Sequence, residues 1–268
     1  MKTKHFIMFL LFISLGMVSC SDNDGDEQFF LYQIGGITFS DKPISNLMIK
    51  VTNGESVGIT GGVAPYTVET GDETIVKAKM NEKDNYIMIS PVQLGRTYLV
   101  VKDANGLTTQ IDLKIVESRL SFSTYRVKVE IKGISDDEKR KALEKEVLDD
   151  SDMHETGEMK FVYDTNNSGM LTIIPSKNEV LDVVLVPFTR EIRQVDEKTY
   201  LPFIYVKYNG VDHVYYFTSP ERQQVKNKSS RSIGLKYYWL VDDVTKIYKS
   251  KEAYSDVTSV KRIYEGSY

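Results

Sequence analysis

The sequence predicts a mainly β chain of two domains: an N-terminal β-sandwich, then an α+β module with an antiparallel sheet and one or two helices. Three observations carry that expectation. Apolar and polar residues alternate in many short runs, the period of two that marks half-buried strands. Gly and Asn pairs punctuate those runs at close intervals, as hairpin and turn residues do. One longer stretch, from Ser135 to Val147, instead carries a helix-start signal and apolar residues at helical spacing. A chain of 268 residues is also long for one ordinary core and comfortable for two.

The first element is a leader. Lys2 and Lys4 precede an almost wholly apolar run from Phe6 to Val18, which is the layout of a secretory signal peptide. The run is too short to span a bilayer, which takes about 20 apolar residues. It ends at Ser19-Cys20, and Cys20 is the only cysteine, so neither an intrachain disulfide nor a thiolate cluster can form. The residues Leu15-Gly16-Met17-Val18-Ser19-Cys20, followed by the acids Asp22, Asp24, Asp26 and Glu27, resemble the lipobox and export signal of bacteroidete-type surface lipoproteins. That resemblance implies removal of residues 1–19 and acylation of Cys20. It also implies an acidic tether over 20–28 and a place on the outer membrane, surface-exposed or facing the periplasm. Asp22, Asp24 and Asp26 alternate like the start of a calcium loop, but Glu27 stands where the turn glycine belongs and Gln33 where the bidentate Glu belongs. No metal or cofactor is expected.

Charge narrows the partners. The formal net charge is −4, and the loss of Lys2 and Lys4 makes the body more acidic. Nucleic acid, which needs a basic surface, is not an expected partner.

From Phe29 to Val116 the expected strands are Leu47–Val51, Val57–Ile59, Tyr66–Val68, Ile75–Ala78, Tyr86–Ile89, Thr97–Val101 and Ile111–Val116. Asn53-Gly54, Gly61-Gly62, Gly71-Asp72, the run Asn81–Asn85 and Asn105-Gly106 separate them, and Asn-Gly between alternating runs reads as a hairpin. Gly61-Gly62-Val63-Ala64-Pro65-Tyr66-Thr67-Val68, Gly95-Arg96-Thr97-Tyr98-Leu99-Val100-Val101 and Asp103-Ala104-Asn105-Gly106 resemble the bacterial immunoglobulin-like modules of surface proteins. The resemblance implies a sandwich over 29–116 that acts as a spacer or adhesive arm and carries no active site. Tyr66 is read as an aromatic closing the sandwich end.

The second module, 117–268, resembles no known family. A strand over Tyr125–Ile131 ends at Gly133, and Ser135 with Glu138 forms a capping box opening a helix with Ala142, Leu143 and Val147 on its apolar side. Strands follow at Met159–Asp164, Met170–Ile174 and Val180–Pro187, the first two joined through Asn166–Gly169. Tyr200–Tyr208 and Val211–Thr218 flank Asn209-Gly210, the clearest hairpin. Arg222–Arg231 is a basic, polar loop, Leu235–Val241 an aromatic-rich strand, Asp242-Asp243 a cap for a helix bearing Val244, Ile247 and Tyr248, and Val257–Tyr264 a last strand.

Catalytic motifs are missing. The sequence holds no Walker loop, dinucleotide fingerprint or His-Glu-x-x-His. His154-Glu155 lacks a second histidine, and His213 lies within a strand. The chain is therefore read as a non-enzyme, with an extracellular hydrolase as the least favoured alternative. A binding role has better support. Tyr237, Tyr238 and Trp239, with Tyr205, Tyr208, Tyr215 and Tyr216 on the neighbouring hairpin, offer rings on which a sugar could stack, although strands also favour aromatics as core. The candidate ligand residues are Trp239, Tyr237, Tyr238 and Tyr215. The expected function is a membrane-anchored, non-catalytic module binding a glycan or a surface protein, the alternative being a purely structural arm or accessory subunit.

Overall fold

The computed structural model describes residues 29–35, 42–177, 183–219 and 238–268; Cys20, Tyr237 and the Arg222–Arg231 loop lie outside them. The chain is mainly β throughout.

Eight short strands come first: β1 (Phe30–Gln33), β2 (Asn46–Lys50), β3 (Glu55–Thr60), β4 (Thr67–Thr70), β5 (Val76–Asn81), β6 (Tyr86–Pro91), β7 (Gly95–Lys102) and β8 (Thr108–Val116). They form two four-stranded sheets, ordered β1-β3-β6-β5 and β2-β8-β7-β4, and β2 runs parallel to β8. Alternate residues turn inward, as the sequence pattern requires. Leu31, Val57, Val76, Ile87 and Ile89 of one sheet share a core with Leu47, Ile49, Leu99, Val101, Ile111 and Leu113 of the other. Asn105-Gly106 does join the paired strands β7 and β8, with Gly106 at φ +88° and Asp103 Oδ1 accepting the Leu107 N–H at 2.8 Å. Asn53-Gly54 makes no hairpin, because β2 and β3 belong to different sheets. A local turn signal cannot tell a hairpin from a crossover between layers. Tyr66 stacks on Phe29 with ring centroids 5.9 Å apart and donates to the Gly61 carbonyl at 2.9 Å.

Only Glu117 separates β8 from the next strand, β9 (Ser118–Lys132). Two further ties cross this junction. The Thr52 N–H and hydroxyl both donate to Ser118 Oγ, at 3.2 and 2.7 Å. Val92–Leu94 lies along Asp164–Asn166, with Leu94 N–H donating to Asp164 O at 3.2 Å and Asn166 N–H to Val92 O at 3.1 Å.

From β9 onward the antiparallel sheet closes on itself. The strands β10 (Glu158–Tyr163), β11 (Ser168–Ile174), β12 (Val184–Gln194), β13 (Tyr200–Tyr208), β14 (Val211–Thr218), β15 (Tyr238–Asp243) and β16 (Ser259–Ser267) each pair with the next, and β16 returns to β9. The result is an eight-stranded up-and-down barrel, where the sequence reading expected an α+β module on an antiparallel sheet. Closure depends on β9, whose first half pairs with β10 and whose second half pairs with β16. A barrel of eight strands is about wide enough for side chains to fill. Here Phe122, Phe161, Phe188, Leu171, Ile204, Val206, Tyr215, Leu240 and Tyr264 occupy its interior.

Helix α1 (Asp137–Asp149) follows β9 at the barrel end away from the junction. Its N-cap is Asp136, one residue beyond the expected Ser135, and the Asp136 carboxylate accepts from the Glu138 and Lys139 N–H groups at 2.9 Å. Leu143 and Val147, one turn apart, are buried, whereas Ala142 is exposed, so the apolar stripe is narrower than the sequence suggested. These two pack with Ile134, Val244, Tyr248, Tyr254, Val257 and Val260 in a second, small core. Helix α2 (Thr245–Lys249) contributes Tyr248 to it. Asp243 does accept the Thr245 N–H at 3.1 Å, but Asp242 caps nothing, since it belongs to β15 and its side chain is fully buried.

Candidate binding site

Strand parity sorts the chemistry of the barrel into an inside set and an outside set. Inside, at the α1 end, Tyr208 of β13, His213 and Tyr215 of β14, Asp242 of β15, and Arg262 and Tyr264 of β16 converge. The α1–β10 connection closes over them with Ser151 and Asp152. His213 Nδ1 lies 3.1 Å from Asp242 Oδ2. Its ring is stacked on Tyr208 at 4.2 Å and lies parallel to Tyr215 at 5.8 Å. The Tyr208 hydroxyl donates to Asp152 Oδ2 at 2.5 Å and meets the Tyr215 hydroxyl at 3.0 Å. Burial first, and the neighbouring carboxylates second, hold the Tyr208 and Tyr215 phenols far above the usual tyrosine range. Burial likewise pushes the Tyr264 phenol up to about 12, against the pull of Arg262.

An imidazole oriented by a buried aspartate invites comparison with a general base. The other nitrogen, Nε2, has Asp152 Oδ2 at 4.0 Å. Ser151 Oγ is committed elsewhere, donating to the Met153 carbonyl at 2.8 Å and meeting the Tyr264 hydroxyl at 3.2 Å. His213, Asp242 and Arg262 are all buried, and only Asp152 reaches the surface, with about a quarter of its side chain exposed. This cluster is a polar plug in the barrel end. Among the described residues no group of His, Cys, Asp and Glu is arranged to hold a metal ion.

The outer face presents a different surface. Phe203 and Tyr205 of β13 and Tyr216 of β14 lie half-buried on it, Phe203 being directly opposite Tyr216 in the register with ring centroids 5.1 Å apart. Arg193 of β12 places its guanidinium carbon 5.6 Å from the Phe203 ring centroid and 5.0 Å from that of Tyr205. Lys261 of β16 sits 5.7 Å from the Tyr216 centroid. Phe203, Tyr205, Arg193 and Lys261, with Asp212, Val214, Asp243 and residues of α2, line an open groove of about 920 Å³, and Tyr216 lies beside it against Phe203 and Lys261.

The residues expected to bind ligand therefore part company. Tyr215 is wholly buried inside the barrel and offers no ring face to an external ligand. Tyr238 points inward, 4.3 Å from Tyr268. Trp239 is half-buried on the outer side, paired across strands with Thr218 and Glu265. Glu265 there is engaged by Arg126 and Lys128. Of the hairpin aromatics, Tyr205 reaches the groove, and Tyr216 lies beside it on the same outer face. Phe203, Arg193 and Lys261 carry no such signal of their own in the sequence. Phe203 could have been found from its place two residues before Tyr205, on the same strand face, but the two cations arrive from strands whose pairing carries no local signal.

The class defined by these observations is a chain of two four-stranded β-sheets joined to an eight-stranded antiparallel barrel. No family model matches the sequence, and no curated protein matches it. Among solved structures, the human desmocollin-1 ectodomain is similar at 7% identity, with 81% of this chain and 56% of that chain covered and a TM-score of 0.23. The extracellular cadherin domains 1–4 of protocadherin gamma B7 are similar at 10% identity, covering 85% of this chain and 75% of that one with a TM-score of 0.20. This chain thus spans little more than half of the desmocollin structure, and likenesses this distant carry no argument about function.

Proposed function

We propose that this protein is a lipid-anchored surface module that binds a saccharide in the outer groove of its barrel. The supporting observation is the pair Phe203 and Tyr205, half-buried rings that line the groove beside hydrogen-bonding charged groups, with Tyr216 packed against Phe203 on the same sheet face. Half-buried aromatics flanked by polar groups suit the mixed apolar and hydroxylated faces of a sugar ring. In this reading Cys20 carries the acyl chains, residues 20–28 form the leash, and an immunoglobulin-like sandwich over 29–116 holds the barrel module of 117–268 away from the bilayer. Two or more acyl chains make such anchoring stable. The short junction at Glu117, with its extra hydrogen bonds, supports the role of the sheets as a stiff spacer. The same feature is what favours the alternative of a purely structural arm. The hydrolase alternative gains nothing from His213, which faces carboxylates on both sides. A glycan array probed with the detergent-solubilised full chain tests the proposal. Binding that is lost in Tyr205→Ala is expected, and silence across the array would leave the structural arm as the better reading.

A further inference from the structure

We infer that the groove takes an acidic saccharide, one whose carboxylate or sulfate groups are met by Arg193 and Lys261. The inference rests on the saccharide reading above and names the class of sugar.

The rings of the groove are not bare. Arg193 stands over both Phe203 and Tyr205, and Lys261 stands over Tyr216, so a cation occupies the approach to each ring. A neutral pyranose that stacked its C–H face on these rings would have to displace cations from favourable positions. An anionic substituent needs no displacement. It would approach the cations from above while the rings support them from below.

The cations are also held in place. Arg193 Nε and Nη2 both donate to one oxygen of Glu191, Oε2, at 2.9 and 2.8 Å, and the Tyr205 hydroxyl lies 3.5 Å from the same oxygen. That contact fixes the plane of the guanidinium and leaves Nη1 without a hydrogen bond among the described residues. Such preorganised planar donors suit carboxylate and sulfate. Lys261 lies opposite Asp243 in the β15–β16 register. Burial lowers its tendency to hold a proton, but Tyr216, Asp243 and Glu130 more than offset this and keep it charged.

The local charge balance points the same way. Asp212 has Lys207 at 3.9 Å, Glu191 has Arg193 and Glu130 has Lys132 at 2.9 Å, while Asp243 lies opposite Lys261 in the register. Lys246 of α2, also lining the groove, makes no ion pair among the described residues. One positive charge is left over in a chain whose net charge is −4, so attraction of polyanions is not a property of the surface at large.

The test uses the detergent-solubilised full chain and isothermal titration with three probes: an oligogalacturonate, a sulfated oligosaccharide, and a neutral malto-oligosaccharide of equal length. Binding of at least one acidic probe is expected, weakening with salt. Arg193→Gln and Lys261→Gln are each expected to weaken it about tenfold, the effect of losing about 1.4 kcal/mol. Far-UV circular dichroism checks that both variants fold, and Arg193, being exposed, serves as the safer substitution. Neutral and acidic probes binding equally would overturn the inference and leave the saccharide reading standing. Acidic binding unaffected by the double Arg193→Gln/Lys261→Gln variant would place the site elsewhere and overturn it too. No binding of any probe would bring down the saccharide reading itself.

Discussion

Arg262 Nη1 lies 3.3 Å from Asp242 Oδ2 inside the closed barrel, on neighbouring strands and with both side chains out of contact with solvent. The same guanidinium donates from Nε to the Val147 carbonyl and from Nη2 to the Asp150 carbonyl, each at 3.1 Å. Those oxygens belong to the C-terminal turn of α1 and the residue after it, where carbonyls lack helical partners and the helix dipole is negative. Helix α1 has no basic residue in its own last turn, so Arg262 supplies the cation from the barrel. One side chain therefore binds the helix, Asp242 and, at 3.7 Å, Asp152 into a single plug.

Removing Arg262 should be severe. Arg262→Ala would leave the buried Asp242 with His213 as its remaining hydrogen-bond partner among the described residues and strip the Val147 and Asp150 carbonyls of their donor, and breaking a buried pair in this way costs about 3–5 kcal/mol. Urea unfolding followed by circular dichroism checks it. A loss under about 1 kcal/mol, the range of exposed ion pairs, would mean that the pair is not desolvated.

Alkali should unfold the barrel in a defined window. The phenols of Tyr208, Tyr215 and Tyr264 are all raised by burial, that of Tyr264 to about 12. Because the unfolded chain releases these protons first, near pH 10, their contribution to stability is complete below that value and declines as the pH climbs through 12. Phenolate absorbance near 295 nm, measured alongside circular dichroism, should show Tyr208, Tyr215 and Tyr264 ionising together with loss of structure. A single smooth titration with the fold intact would count against the burial described here.

Two hairpin glycines should differ sharply. At Gly169 a Cβ would meet the Val162 carbonyl oxygen at 2.0 Å, and the backbone of a paired strand cannot move aside. At Gly210 nothing lies within 4 Å, and the only obstacle is the positive φ of +76°. Gly210→Ala is expected to cost about 1 kcal/mol, and Gly169→Ala more, in the range of about 1–3 kcal/mol or above typical of overpacking. Thermal melts of the two variants give the order directly, and the reverse order would contradict the β10–β11 pairing.

For the anchor, Cys20→Ala should move the protein from the membrane to the soluble fraction on ultracentrifugation. Retention of that variant in the membrane pellet would remove acylation as the means of attachment.

Much of the architecture is legible in local residue order. Alternation placed most of the strands, Asn166–Gly169 and Asn209-Gly210 placed two hairpins, and the acids around Asp136 with Leu143 and Val147 placed a helix. These features depend on neighbours along the chain, so their physics is written within a few residues. Alternation also requires that Tyr215 and Tyr216 face opposite sides, but it carries no sign. Which ring enters the core was decided by closure of the sheet, which sent Tyr215 to the plug and Tyr216 to the outer face beside the groove. Closure itself rests on the pairing of β9 with β16, strands at the two extremes of the module, and no short-range signal announces such a partner. The same holds for Arg262 reaching the end of α1 and for Arg193 reaching the rings of β13. A charged residue in a strand reads alike whether it meets water, a helix carbonyl or an aromatic face, because its environment is set by whatever distant backbone the fold brings against it.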